Sequence, residues 1–239
     1  MSYSKAAISA YADKVRTEIT GLEKLNINDL TVIISRGNSK LGKTLNVSLL
    51  PIFDCGNCAQ CAPECYDIKA CLRFKNVLRA RTINSFIWEN DPEKFFADIR
   101  KTLDSVKDNK FLRYQEAGDI PNTRYLEDMI KIAVDYPDFT FWTYTKMYAL
   151  VNDYVRTHGG SRAAAIPANL SIMFSPWTGC PMDNPFNFPV FAVRMPNPED
   201  NDYTQEEFNA MFHCPGNCNY CKAARRGCIA GESTWNDLH

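Results

Sequence analysis

The residues in this chain best suited to chemistry are its cysteines. Of the ten present, five fall in the stretch Asp54 to Leu72, DCGNCAQCAPECYDIKACL. Such a density serves either metal ligation or a disulfide framework. Cys55, Cys58, Cys61 and Cys65 are spaced C-x2-C-x2-C-x3-C, a run that wraps an iron–sulfur cluster. A second set, Cys214, Cys218, Cys221 and Cys228, closes the chain as C-x3-C-x2-C-x6-C. The alternative for both sets is structural zinc, which four thiolates on short knuckles also hold. Cys71 and Cys180 stand outside the two motifs. Each is either a fourth ligand or a small buried hydrophobe, and Cys71, in what reads as a helix, takes the core reading.

The surroundings of these thiols decide between metal and disulfide. Met1 to Gly21 carries charges throughout and lacks the apolar core of a secretory signal. No apolar run approaches the ~18 residues of a membrane span. A cytoplasmic location follows as the expectation, and there thiols stay reduced, which favours metal over disulfides. The chain has 239 residues, 45% of them apolar, enough for one sizeable core. Its net charge of −1 argues against a protein that mainly coats nucleic acid or an anionic membrane.

The elements that must position the cysteines can be read in turn. Residues 2–20 have a helical period, with Gly21 as its end, and residues 1–30 read as a helical extension. Leu30 to Ser35 is β-branched and reads as a strand. Gly37 to Thr44, GNSKLGKT, satisfies the phosphate-loop pattern, but a phosphate cradle needs a helix starting at Lys43 and Thr44. The alternating LNVSLLPIF that follows reads as the second strand of a hairpin, so the match is taken as a turn. Ile68 to Trp88 reads as one helix with Arg73, Lys75, Arg79 and Arg81 on solvated faces. Asp91-Pro92-Glu93 is a helix start.

From Phe111 the order is strand (111–120, with its loop), helix (123–136), strand (139–144), helix (147–157), strand (169–174). This β-α-β-α-β pattern predicts parallel strands. The predicted fold is α/β: a partial (β/α) barrel or an open parallel twisted sheet, in a single domain over 1–239, with metal-binding cysteine loops (54–72 and 214–228) at its edges. Ligands of such sheets bind beyond the carboxyl ends of the strands. There the sequence places Glu116, Gly118 and Asp119, then Tyr144 and Lys146, then Ser175 to Trp177. Glu116, Asp119 and Lys146 are the candidate catalytic residues, with Gly118, Tyr144 and Ser175 as candidate cofactor contacts. A short apolar run at Phe188 to Val193 allows one more strand, and Thr204 with Glu207 forms a capping box.

With these pieces together, the chain resembles the phage "gene product 88" family, found in phages and mobile elements. The resemblance rests on Asn38 to Gly42 followed by Leu49-Leu50-Pro51, on Cys55, Cys61, Cys65 and Tyr66, on Arg113 with Gly118-Asp119, on Trp142 to Lys146, and on the closing cysteines. It spans most of residues 35–230 and implies architecture and metal ligands more than a reaction. Cys58 is additional to the family's opening cysteines, so a mixed site of Cys55, Cys61, Cys65 and a closing cysteine stays open. Cys214, Cys218 and Cys221, with Tyr220 before the third, also resemble the C-x3-C-x-aromatic-C loop of radical SAM enzymes. That likeness implies a [4Fe–4S] cluster with one iron left for S-adenosylmethionine.

Two functions are therefore expected to compete. One is an iron–sulfur protein of a phage or mobile element in the cytoplasm of a bacterial host, its activity undetermined and a radical-SAM-like enzyme among the options. The other is a binding module stabilised by zinc or a closed cluster, engaging a host protein or nucleic acid through Arg73, Lys75, Arg79, Arg81, Arg225 and Arg226.

Overall fold

The computed structural model describes residues 4–56 and 61–238. Cys58, one of the predicted ligands, lies outside the described residues. Helix α1, Lys5–Leu22, begins at Ser4, whose hydroxyl accepts the Ala7 N–H, and runs through Gly21 where the sequence suggested an end. The predicted strand at 30–35 contributes only an antiparallel bridge between Ser35 and Asn46. Its backbone is instead held by side chains, with Ile33 N–H donating to Asn84 at 2.7 Å and Val32 N–H to Asp98 at 3.1 Å. The phosphate-loop match at 37–44 is a turn closed by Asn38, whose side chain accepts the N–H groups of Lys40 and Leu41. Strand β1, Leu45–Val47, follows it, and no helix starts there.

The expected helix over 68–88 is two helices, α2 (Tyr66–Arg73) and α3 (Lys75–Asn90), separated by Phe74 in an extended conformation. The break has a structural consequence. In one straight helix Asp67 and Arg81 would stand about 21 Å apart along the axis. Here Arg81 donates to both oxygens of Asp67 at 3.3 Å. Helix α4, Pro92–Asp104, starts as predicted, with Asp91 accepting the Lys94 N–H at 2.9 Å.

Next come strand β2 (Phe111–Tyr114), helix α5 (Thr123–Asp135), strand β3 (Thr140–Thr145), helix α6 (Tyr148–Thr157), the short helix α7 (Arg162–Ala165) and strand β4 (Leu170–Phe174). The four strands form one parallel sheet in the order β1-β2-β3-β4. The molecule is thus a mixed α/β structure. Of the two predicted architectures the open sheet is found: among the described residues nothing pairs β1 with β4 to close a barrel.

The sheet has two unlike faces. Leu45, Val47, Leu112, Tyr114, Phe141, Leu170, Ile172 and Phe174 face the helices and form the main core with residues of α3 to α6. Asn46, Arg113, Trp142, Tyr144, Ser171 and Met173 alternate with them and face the other way. That second face is covered by the end of the chain. Strands β5 (Phe191–Arg194), β6 (Phe212–His213) and β7 (Thr234–Asp237) make a small parallel sheet in the order β5-β7-β6. Between them, helices α8 (Gln205–Ala210) and α9 (Cys218–Ala224) and the single-turn segment Gly227–Ala230 complete the cover. Cys228 packs with Trp142 and Met173. No described helix is long and apolar enough to cross a membrane.

Candidate metal centres and the strand-end rim

The carboxyl ends of β2, β3 and β4 bring three of the predicted residues together. Asp119 is buried and its carboxylate is fully engaged: Oδ1 accepts the Ile120 N–H at 2.7 Å and the Thr145 hydroxyl at 2.5 Å, while Oδ2 accepts the Lys146 N–H at 2.8 Å. Burial pushes this carboxyl up, and those hydrogen bonds with the nearby Lys146 charge pull it back. Asp119 thereby joins the exits of β2 and β3. Lys146 reaches the third strand, with Nζ 3.1 Å from Ser175 Oγ and 5.5 Å from the centre of the Trp177 ring. Beside this pair a cavity of about 340 Å³ is lined by Trp177, Cys180, Met182, Asp202 and Tyr203.

Gly118 serves the same turn through its backbone. Its φ is +79°, and a Cβ there would stand 2.7 Å from Leu49 Cβ. Its role is close approach between the exits of β1 and β2, a contact only glycine permits without strain.

Glu116 and Tyr144, grouped with these by sequence, lie elsewhere. Glu116 closes a polar network on the second face. Its carboxylate accepts from Asn46 Nδ2 and, at 3.4 Å, from Arg81, while its carbonyl accepts the Tyr66 hydroxyl. Arg81, expected in solvent, is buried between Asp67 and Glu116. Sequence reading missed this pair because the residues meet only across the break at Phe74. Tyr144 lies under the closing segment. The Arg113 guanidinium stacks 4.8 Å from its ring centre, and its hydroxyl lies within electrostatic range of the Cys228 thiol.

The opening cysteines follow the loop that leaves β1, Cys61 toward Lys146 and Asp119 and Cys65 against the cluster of Tyr11, Val15 and Ile68. The loop leaving β1 is tied down where the Asp54 carbonyl accepts the Asp119 N–H at 2.8 Å, and Asp54 itself is anchored by Ser85 and the Leu50 N–H. Burial pushes the Asp54 carboxyl up to about 6. Gly56 then passes so near Met147 that a Cβ would stand 2.3 Å from its sulfur. Cys61 lies within electrostatic range of Lys146, Asp119 and Cys180; its thiol is pushed up chiefly by burial. Cys65 begins α2. Burial pushes its thiol up to about 11, only partly offset by the backbone of Ile68 and Asp67. Cys71 is buried with Tyr11, Val15 and Ile68, as the core reading expects.

The closing cysteines gather over the second face. Cys214 follows β6, Cys218 and Cys221 are one turn apart on α9, and Cys228 lies in the segment after it. Each of Cys218, Cys221 and Cys228 is raised first by burial, and each also responds to Cys214. Cys221 reaches about 11, pushed further by Cys228 and Cys218. Arg113 counters this at Cys218 and Cys228, and Lys40 and Lys222 counter it at Cys218.

By donor type alone, thiols suit a soft metal or an iron–sulfur cluster: they are costly to ionise in a buried setting without a cation, and a metal would deprotonate them. All nine described cysteines are free thiols. Among the described residues, no three His, Cys, Asp or Glu stand where they could together hold a metal ion. The charge surroundings of the two sets differ: Lys146 and Asp119 at the opening set, Arg113, Lys40 and Lys222 at the closing one.

The family model described as gene product 88 matches residues 32–176, more than half of the chain. The match contains the parallel sheet, the opening cysteines and the strand-end rim. The closing cysteines and Cys180 lie beyond it. No curated protein and no solved structure matches the chain.

Proposed function

This chain belongs to the gene product 88 family, and on that footing we propose that it is an iron–sulfur protein of a phage or mobile element, with its cluster held at the strand-end rim by Cys55, Cys61 and Cys65. The observation that carries the reading is the attachment of the opening cysteine loop. It leaves the carboxyl end of β1 and is bonded at Asp54 to Asp119, at the exit of β2. That is where open parallel sheets receive ligands. When bound, the cluster would supply redox or Lewis-acid chemistry. The chain's own residues would supply the setting. Asp119 fixes the two strand exits, Lys146 offers a cation beside Cys61, and Ser175 and Trp177 hold Lys146 in place.

The closing cysteines form, in this reading, a second thiolate centre with a structural role, holding the end of the chain on the second face. Four-thiolate sites of this kind add folding energy directly.

Anaerobic purification with iron, sulfide and zinc counts per chain tests the proposal. Iron and sulfide in equal amounts, with a broad visible absorption band, are expected. A colourless protein carrying zinc alone would sink it.

A second reading, a module that binds nucleic acid, draws on one exposed feature. At the break between α2 and α3 the Arg73 guanidinium lies 5.2 Å over the exposed Phe74 ring, with Lys75 adjacent. Aromatic and cationic groups side by side suit a single strand. The other expected contacts are mostly engaged: Arg81 is buried, Arg79 faces Glu18, and Arg226 pairs with Glu232. A salt-sensitive gel shift lost in Arg73→Ala/Phe74→Ala would favour this reading.

A further inference from the structure

We propose that the second face of the sheet carries a binding site for an oxyanion, a carboxylate or phosphate group, built on the Arg113 guanidinium with Trp142 and Ser171 beside it. Such a site goes beyond the cluster reading and does not depend on which metal the cysteines hold.

The strand register puts these residues in one line. Asn46, Arg113, Trp142 and Ser171 are successive partners across β1, β2, β3 and β4, and residues paired in this way share a face. Neighbouring strands lie about 4.8 Å apart, so the line from Arg113 to Ser171 is about 10 Å long. Among the described residues, seven buried side-chain polar atoms have no hydrogen-bond partner, and three of them are Arg113 Nε, Trp142 Nε1 and Ser171 Oγ. The first two only donate, and the hydroxyl can donate. A buried donor left unmet costs about 1–3 kcal/mol, and more when it is charged. Three on adjacent strands call for an acceptor.

Charge says what kind of acceptor. Among the described residues Arg113 has no ion pair. Glu116, reached along the same line through Asn46, is already engaged by Arg81 and by Asn46 Nδ2. The Tyr144 ring, 4.8 Å from the guanidinium, holds that cation in place without neutralising it. Two residues back along β2, on the same face, Phe111 carries a second cation: Lys222 Nζ lies 5.2 Å from its ring centre and donates to the Leu41 carbonyl. A buried or half-buried cation of this kind is stabilised by an anion, and the guanidinium fork suits an acceptor with two oxygens. The competing acceptor within the chain is a closing sulfur. Cys228 packs on Trp142, yet neither Arg113 Nε nor Trp142 Nε1 finds a sulfur partner. Arg113 keeps part of its surface exposed whereas Trp142 is sealed, so the anionic group enters at the Arg113 end of the line.

Equilibrium dialysis of the intact protein against inorganic phosphate or acetate, at ionic strength held constant with chloride, tests the site together with thermal unfolding. Saturable uptake of one anion per chain is expected, the preferred probe telling phosphate from carboxylate, and the unfolding midpoint should rise with its concentration. Arg113→Gln should weaken uptake roughly tenfold or more. In chloride alone the same variant should unfold no earlier than the wild type, since it removes a charge that lacks a partner. Trp142→Phe, which keeps an aromatic ring and loses the N–H, should weaken uptake severalfold. Absence of saturable uptake by the wild type would mean that ordered water satisfies the line, and would overturn the proposal. Arg113→Gln unfolding earlier in chloride alone, or releasing bound metal, would make Arg113 a counter-ion of the closing thiols and overturn it equally. Unchanged uptake in both variants would put the anion elsewhere.

Discussion

A guanidinium taken out of water needs counter-charges, and Arg81 has two. It donates to both oxygens of Asp67 and to Glu116, with little of its side chain exposed. The attraction must offset the desolvation of three charges, so the network's net contribution is modest, but losing one member leaves the others uncompensated. Arg81→Met should therefore cost about 3–5 kcal/mol in urea unfolding. Arg81→Met/Asp67→Leu should recover a good part of that loss, and a double variant no more stable than the single one would show that the pair is not the source. Glu207 makes a milder case at the surface. Its carboxyl is held below the usual range by the Thr204 N–H and hydroxyl, within the capping box of α8. A lowered carboxyl contributes stability above its ordinary titration range and loses it as pH falls through the lowered value. An NMR titration should show the Glu207 midpoint below that of an unpaired glutamate. Thr204→Ala should raise it only part of the way, since the backbone N–H of residue 204, the larger cause, stays in place.

Turns govern the elements as firmly as strands do. Gly118 carries φ +79° where the exits of β1 and β2 touch at Leu49. Gly118→Ala brings both a strained backbone and a Cβ 2.7 Å from Leu49 Cβ. It should cost roughly 1–3 kcal/mol by urea unfolding, with the larger part of the structural change at the Asp54–Asp119 contact. The helices and strands between Phe111 and Phe174 are legible in the sequence because each signals itself locally. Asn122 caps α5, apolar residues at helical spacing mark α5 and α6, and β-branched and aromatic residues mark β3 and β4. The capping box at Thr204 is legible for the same reason. The strand expected at 30–35 fails because its apolar residues pack on the core while side chains of α3 and α4 satisfy its backbone. The single helix expected over 68–88 fails at Phe74, where no glycine or proline marks the break. Of the candidate site, the rim of Asp119, Lys146 and Ser175 is legible as strand ends. The separation of Glu116 and Tyr144 from it is not, because the alternation of faces along a strand shows only once the register is known.

At the scale of the whole molecule, the end of the chain is a cover laid on a sheet, bridged to β4 at Val190 and tied at the turn before β1. The Cys218 N–H donates to the Lys40 carbonyl at 2.9 Å and Lys222 Nζ to the Leu41 carbonyl at 3.1 Å, both on the turn that imitates a phosphate loop. Gly42 lies so near Asn219 that a Cβ would collide with its amide. Cys228 and Ile229 rest on Trp142 and Met173. These contacts are small beside the main core, whose aromatic cluster of Trp88, Phe95, Phe96 and Tyr125 lies on the opposite side of the sheet. If a thiolate centre at Cys214, Cys218, Cys221 and Cys228 holds the cover in place, removing its metal should loosen the cover before the sheet. Hydrogen exchange read by mass spectrometry checks this. After chelation, amides of β6, α9 and the 37–44 turn should exchange roughly tenfold faster or more, with those of β2 and β3 unchanged, since regions of low local stability open independently of the core. Cys228→Ser should reproduce the pattern without chelator. Equal acceleration in the sheet and the cover would mean that the two open together, and would reassign the closing cysteines from holding a cover to supporting the fold as a whole.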